Sequence, residues 1–339
     1  EQLSYIRRYS DRRYYKGVEL VDFVEAMARR RMAEAFATDD VPASAIQANV
    51  QPLSGAAANN AVYNAFAVPG DVVMGMSLSS GGHLTHGSPV NRSGRNHTIV
   101  SYTVGPDGRL DYPAIRKLAL EARPKILIGG FSAYPWDIDW AEFRKIADEA
   151  GAILLADIAH TAGLVSAGVV RSPLGHAHVV SFTTHKSFCG PRGACLLSTH
   201  PEIAKKLDIG VFPGEQGGPH VHQIAGKAVA AKLAATAEFK SLMKRVAENA
   251  KTLGGALVEE GLTLAYGGTD THLVMVDLKK LPSPTGVVLS GETASRILDL
   301  VGLTCNKNTI QGDTSAVHPT AVRFGTVWAA QRGLRPPQM

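Results

Sequence analysis

The stretch Val180-Ser181-Phe182-Thr183-Thr184-His185-Lys186-Ser187-Phe188-Cys189-Gly190-Pro191-Arg192-Gly193 decides how the chain is read. The Thr183-Thr184-His185 run reads as a strand end. Lys186 follows it, and the Gly190-Pro191-Arg192-Gly193 turn then breaks the chain before the apolar run Ala194-Cys195-Leu196-Leu197. One amine is therefore placed on a strand-to-loop junction with hydroxyls beside it. A lysine in a loop is ordinarily a solvated surface charge. At a rigid junction it is also the group that a Schiff-base enzyme needs to capture an aldehyde.

The neighbouring segments favour the second reading. Ala152-Ile153-Leu154-Leu155-Ala156-Asp157 is a short apolar run after Gly151, ending in an acid. It reads as a buried parallel strand that delivers Asp157 at its carboxyl end, where open α/β sheets bind ligands. A pyridoxal phosphate enzyme needs a carboxylate there to keep the pyridine nitrogen protonated; the plainer role is a helix N-cap. Upstream, Ser54-Gly55 precedes the Ala-rich helical pattern that starts at Ala56. Small residues there let backbone N–H groups face a phosphate, although Ser-Gly is also an ordinary cap.

Around these segments helical patterns alternate with short apolar strands at 72–74, 98–100, 125–128, 153–155, 179–181 and 194–197. That alternation predicts an α/β fold with a mostly parallel sheet wrapped by helices. Val21, Val24, Ala28, Met32 and Ala35 recur at helical spacing over residues 18–36. Residues 38–48, with Pro42 and Ser44, read as a loop. Residues 219–258 read as one helical stretch, and His272-Leu273-Val274-Met275-Val276-Asp277 as a strand. The expected organisation is an N-terminal arm and helix over 1–48, a large cofactor-binding domain over 49–258 and a smaller α/β domain over 259–339.

In this order the motifs resemble the serine hydroxymethyltransferase family of fold-type I pyridoxal phosphate enzymes, from about Tyr5 to Gly333. The resemblance rests on Arg13-Tyr14-Tyr15, Asn49-Val50-Gln51-Pro52, Gly81-Gly82-His83-Leu84-Thr85-His86-Gly87, Gly129-Gly130-Phe131-Ser132-Ala133-Tyr134, Thr183-Thr184-His185-Lys186, Val211-Phe212-Pro213-Gly214 with Gly217-Gly218-Pro219, and Val322-Arg323-Phe324-Gly325-Thr326.

The resemblance implies pyridoxal 5'-phosphate as cofactor and assigns roles. Lys186 carries the Schiff base, Asp157 pairs with the ring nitrogen and His83 stacks on the ring. Ser54, Gly55 and His185 hold the phosphate, with Thr183 beside them and Gly217 and Gly218 supplied by a neighbouring subunit. Ser132 and His160 face the phenolic oxygen or the substrate. Arg323 grips the substrate carboxylate in a bidentate fork. Tyr5 and Tyr15 reach across a dimer into the partner's site, so a homodimer or a dimer of dimers is expected. The chemistry implied is retro-aldol cleavage of a β-hydroxy amino acid to a glycyl carbanion and an aldehyde.

The departures fall on the folate side. The family carries Tyr-Ala-Glu-Gly-Tyr-Pro-Gly-Lys where this chain has Tyr5-Ile6-Arg7-Arg8-Tyr9-Ser10-Asp11-Arg12. Arg7 thus stands at the position of a proton-handling glutamate, and arginine cannot serve as a general acid or base there. Ser80 replaces a histidine, Val317-His318 replaces Pro-Phe, and Ala56 replaces a phosphate-side serine, while Asn308 matches a folate-contacting position. The reading preferred on these grounds is a folate-independent, threonine-transaldolase-like enzyme that adds the glycyl carbanion to another aldehyde, with Arg7 on the acceptor side. The alternatives are a serine hydroxymethyltransferase using tetrahydrofolate, and a non-catalytic binding protein of the same fold. The resemblance further implies that the natural chain is longer at both ends or that this one is truncated.

Composition sets outer bounds. With 45% hydrophobic and 19% charged residues the chain can bury a large core. A net charge of +5 without a basic block gives no reason to expect nucleic acid. Three cysteines, Cys189, Cys195 and Cys305, form no metal or paired motif. No apolar run approaches membrane-spanning length and no leader is visible, so a cytoplasmic enzyme is expected.

Overall fold

The computed structural model describes residues 17–283, 286–313 and 318–339. Its larger sheet has seven strands: β1 (Gln47–Asn49), β2 (Val72–Met76), β3 (Thr98–Tyr102), β4 (Ile126–Gly129), β5 (Ile153–Asp157), β6 (Val179–Thr183) and β7 (Ala194–Ser198). Their spatial order is β1-β7-β6-β5-β4-β2-β3. From β3 to β6 every pairing is parallel, and β7 and β1 close one side antiparallel. Helices α1 (Glu19–Phe36), α2 (Gly55–Phe66), α3 (Arg92–Asn96), α4 (Tyr112–Ala122), α5 (Trp140–Ala150), α6 (Ala162–Ser166), α7 (Pro201–Ile209), α8 (Val221–Ala234) and α9 (Ala237–Glu259) accompany these strands. A second, antiparallel sheet has the order β8-β10-β9, from β8 (Leu273–Asp277), β9 (Asn306–Asn308) and β10 (Ala321–Gly325), with α10 (Gly291–Leu300) and α11 (Val327–Gln331).

The apolar runs are continuous because helices cover both faces of the sheet. All residues of β4, β6 and β7 are buried. Such strands carry no alternation, so length and flanking turns had to identify them. On α1, Ala28, Met32 and Ala35 are buried as their spacing predicts, whereas Val21 and Val24 are half-buried. Glu25 is buried on the same helix, and the Gln51 side-chain amide donates to it at 3.0 Å.

Two sequence expectations change. Residues 38–48, read as a loop, end in β1, where Gln47, Ala48 and Asn49 pair with Ser198, Leu197 and Leu196. Three residues are too few for a periodic signal, and pairing across the chain decides the conformation instead. The helical stretch 219–258 breaks at Ala235–Thr236 into α8 and α9. There the Thr236 hydroxyl accepts the Phe239 N–H at 3.2 Å, starting α9 afresh.

The loop carrying Lys186 is fixed from both sides. Thr184 N–H donates to Gly193 at 3.0 Å, extending the β6–β7 pairing, and Gly190 N–H returns to the Thr184 carbonyl at 2.7 Å. Phe188 anchors the underside, with ring centroids 5.5 Å from Phe36 and 5.6 Å from Phe182. Full burial of an aromatic side chain contributes roughly 2–3 kcal/mol, which offsets the ordering entropy of one or two of the loop's residues.

Candidate active site

The carboxyl ends of β5 and β6, the start of α2 and the turn from Gly81 to Gly87 enclose a cavity of about 270 Å³. Ser54, Gly55, His83, Ser132, Asp157, His160, Thr183, His185 and Lys186, separated by up to 132 positions (186 − 54), all line it. A second cavity of about 440 Å³ shares His160, His185 and Lys186 as a wall and adds Arg323, Asn306 and His272.

Asp157 sits at the end of β5 because Leu154, Leu155 and Ala156 before it are buried. Its Oδ2 accepts from Asn59 Nδ2 and from His86 Nε2, each at 2.9 Å, and its Oδ1 from the Ala159 N–H at 3.0 Å. Burial alone would raise its pKa. The donors from His86 and Asn59 outweigh burial and hold it well below the usual carboxylate range. It is an ionised carboxylate with one side turned to the cavity.

His83 begins a short turn whose glycines are demanded by space. A Cβ on Gly82 would lie 2.1 Å from the Met76 carbonyl oxygen. Burial lowers the His83 pKa to about 4, with Asp157 opposing, so its ring is neutral at pH 7. The loop bearing Ser132 is likewise pressed onto the acid's strand. Gly130 has φ +132°, and a Cβ there would meet the Asp157 carbonyl oxygen at 2.0 Å.

Lys186 has a lowered pKa: burial is the chief cause, Arg323 and Arg192 add to it, and Asp157 opposes. Its free-amine fraction is therefore larger than that of a surface lysine. Ser187 fixes the next position, donating from Oγ to the His160 carbonyl at 2.8 Å. On the other wall, Arg323 on β10 donates from Nη1 to the Ser132 carbonyl at 2.6 Å and from Nη2 to Asn306 at 3.3 Å. That contact joins the second sheet to the large one.

The donors suit a phosphorylated pyridine aldehyde. Ser54 caps α2, accepting the Ala57 N–H at 3.2 Å, and α2 aims its first N–H groups from the cavity edge. Gly55 permits close approach, since a Cβ there would lie 2.7 Å from Thr183 Cγ2. His185 Nδ1 is buried with no partner among the described residues, as an anion ligand awaiting its anion would be.

Not every expected residue joins the group. Asn308 lines neither cavity; its strand neighbour Asn306, paired with Arg323, does. Gly217 and Gly218 also line neither cavity. Tyr5, Arg7 and Tyr15 lie outside the described residues. Conversely, Asn59, His86, Arg192 and His272 take part without having been singled out. Asn59 had a legible signal: a polar residue four positions after Gly55, on the same face of an Ala-rich helix.

Residues 2–339 match the family described as serine hydroxymethyltransferase. A relative from Rickettsia bellii (strain RML369-C), described as a probable serine hydroxymethyltransferase, is 49% identical over 334 residues, covering 98% of this chain and 76% of the relative.

Proposed function

The chain belongs to the serine hydroxymethyltransferase family, and from that premise we propose that it uses pyridoxal 5'-phosphate to interconvert serine and glycine, with tetrahydrofolate as the one-carbon acceptor. The observation that carries this reading is the shared wall. Lys186, His160 and His185 separate a cavity holding an ionised carboxylate from one holding Arg323. Pyridoxal phosphate, when bound, supplies an electron sink for breaking a bond at the substrate Cα. Each side chain then has one task. Lys186 offers the amine, Asp157 keeps a proton on the ring nitrogen, and His83 covers a ring face. Ser54, Gly55, Thr183 and His185 receive the phosphate. Arg323 orients the substrate carboxylate, and Ser132 and His160 face the substrate.

The same proposal includes residues 49–258 as the cofactor-binding unit and 259–339 as the unit supplying Arg323. It also includes a cytoplasmic homodimer in which Tyr5, Tyr15, Gly217 and Gly218 serve the partner's site. Among the described residues no helix is long and apolar enough to cross a membrane.

A second reading, transfer of the glycyl unit from threonine to another aldehyde, is favoured by Arg7 at the glutamate position and by Ser80, whose Oγ is buried without a partner among the described residues. One assay separates the two. Serine cleavage that accelerates with tetrahydrofolate supports the hydroxymethyltransferase. Indifference to folate, with a new β-hydroxy amino acid formed from threonine and an added aldehyde, supports the transaldolase.

A further inference from the structure

We propose that Thr85 is a positioning residue that locks His83 in a single neutral tautomer, with its proton on Nε2 and none on Nδ1. Asp157 is ionised and can only accept, so the group of Asn59 facing it at 2.9 Å is the amide NH2. The Asn59 carbonyl then faces Ser181, whose hydroxyl donates to it at 2.8 Å. The second amide hydrogen of Asn59 goes to Thr85 Oγ1 at 2.9 Å. A hydroxyl that accepts there directs its own hydrogen to its other neighbour, His83 Nδ1, at 2.8 Å. The Thr85 N–H points at the same nitrogen from 3.2 Å. Two donors converge on Nδ1, so its lone pair is occupied and a proton there would face both of them.

The consequence for chemistry is specific. His83 offers an N–H donor through Nε2 and no free base at Nδ1. Removing a substrate proton falls to another group. The relay also ties His83 to the charge on Asp157, because that charge sets the orientation of Asn59. The tautomer is a property of the chain alone; its catalytic meaning rests on reading this cavity as the cofactor site.

The test is long-range 1H–15N spectroscopy of the full chain labelled with 15N-histidine, without cofactor, at pH 6 to 8, with His83 assigned by His83→Gln. The expected result is a bare Nδ1 and a protonated Nε2. Thr85→Val should lower the Nε2–H to Nδ1–H ratio roughly fivefold, the scale of one lost hydrogen bond. Thr85→Ser should restore it. A wild-type His83 with a proton on Nδ1 overturns the inference, as does a Thr85→Val spectrum that keeps the wild-type ratio. Absorbance titration with pyridoxal phosphate is read separately: failure to bind the cofactor sinks the functional reading and leaves the tautomer as measured.

Discussion

The imidazole rings of His160 and His272 lie nearly parallel, 20° apart in plane with centroids 5.8 Å apart, at the boundary of the two sheets. Burial pushes His272 down to about 3, and Arg323 and Lys186 push the same way. His160 is lowered well below the ordinary histidine range by burial and then by Lys186. Both rings are neutral in the folded protein at neutral pH. Unfolded, each takes up a proton below about 6.5. The unfolded state therefore binds more protons, and stability falls as pH drops from about 6.5 toward 3. The expected loss is about 1–2 kcal/mol per ring between pH 6.5 and 5, read from urea unfolding. His272→Phe keeps an aromatic stack and should flatten that slope. An unchanged slope would mean that His272 titrates normally.

Arg323 lowers the basicity of Lys186 as well as contributing charge to the second cavity. Burial lowers the Lys186 pKa first, Asp157 opposes it, and Arg323 lowers it further. Arg323→Met should therefore raise it. In the cofactor-free protein, the pH midpoint for aldehyde capture by Lys186 should move upward. The KM for serine should rise roughly 10- to 200-fold, the scale of one charge-assisted hydrogen-bond set. A midpoint that stays in place would separate Arg323 from Lys186.

His86 maintains the charge of Asp157. With His86→Leu, burial of the carboxyl is opposed by fewer donors, chiefly Asn59. The cost in stability at pH 7 should be about 1.5–3 kcal/mol, as for a hydrogen bond to a charged group. The sign with pH follows from a depressed carboxyl. Its stabilisation is present above the unfolded value of about 4 and is lost as pH falls through the folded value. In the variant the folded value is higher, so less of that stabilisation exists to lose. A urea midpoint that changes identically with pH in both proteins would rule this out.

Much of this arrangement was legible in the chain because its decisive segments are short and local. The run 152–157 names its own strand, and Lys186 stands at a break that Gly190 and Pro191 announce. The resemblance named Arg323 and His83, which line two cavities that share Lys186 as a wall. His86 and His272 were not assigned roles because nothing local distinguishes them, and Asn59 was passed over although it shares a helix face with Gly55. A histidine three positions after His83 reads as one more loop residue until β5 delivers Asp157 beside it at 2.9 Å. β1 was illegible for the same reason, as its three residues become a strand only through β7. Asn306 and Asn308 lie two positions apart on one strand, and it is Asn306 that stands opposite Arg323.

Lys227 on α8 is the clearest case of a residue whose task only the fold reveals. Its ammonium is buried and donates to the carbonyls of Val50 at 2.6 Å, Ala194 at 2.8 Å and Pro52 at 3.1 Å. Burial pushes its pKa down to about 8, which leaves it mostly charged at pH 7. It ties the segment that leads to Ser54 onto the first residue of β7. Lys227→Met fills similar space but takes a charged donor away from three carbonyls, of which Pro52 keeps the Ala194 N–H at 3.1 Å. The expected destabilisation is roughly 3–5 kcal/mol, as for breaking a buried charged contact. Because Pro52 lies two residues before Ser54, which we propose receives the cofactor phosphate, cofactor affinity should fall as well, measured by absorbance titration on protein shown to be folded by circular dichroism. A variant with a urea midpoint and cofactor affinity equal to wild type would show that the three carbonyls are satisfied without Lys227.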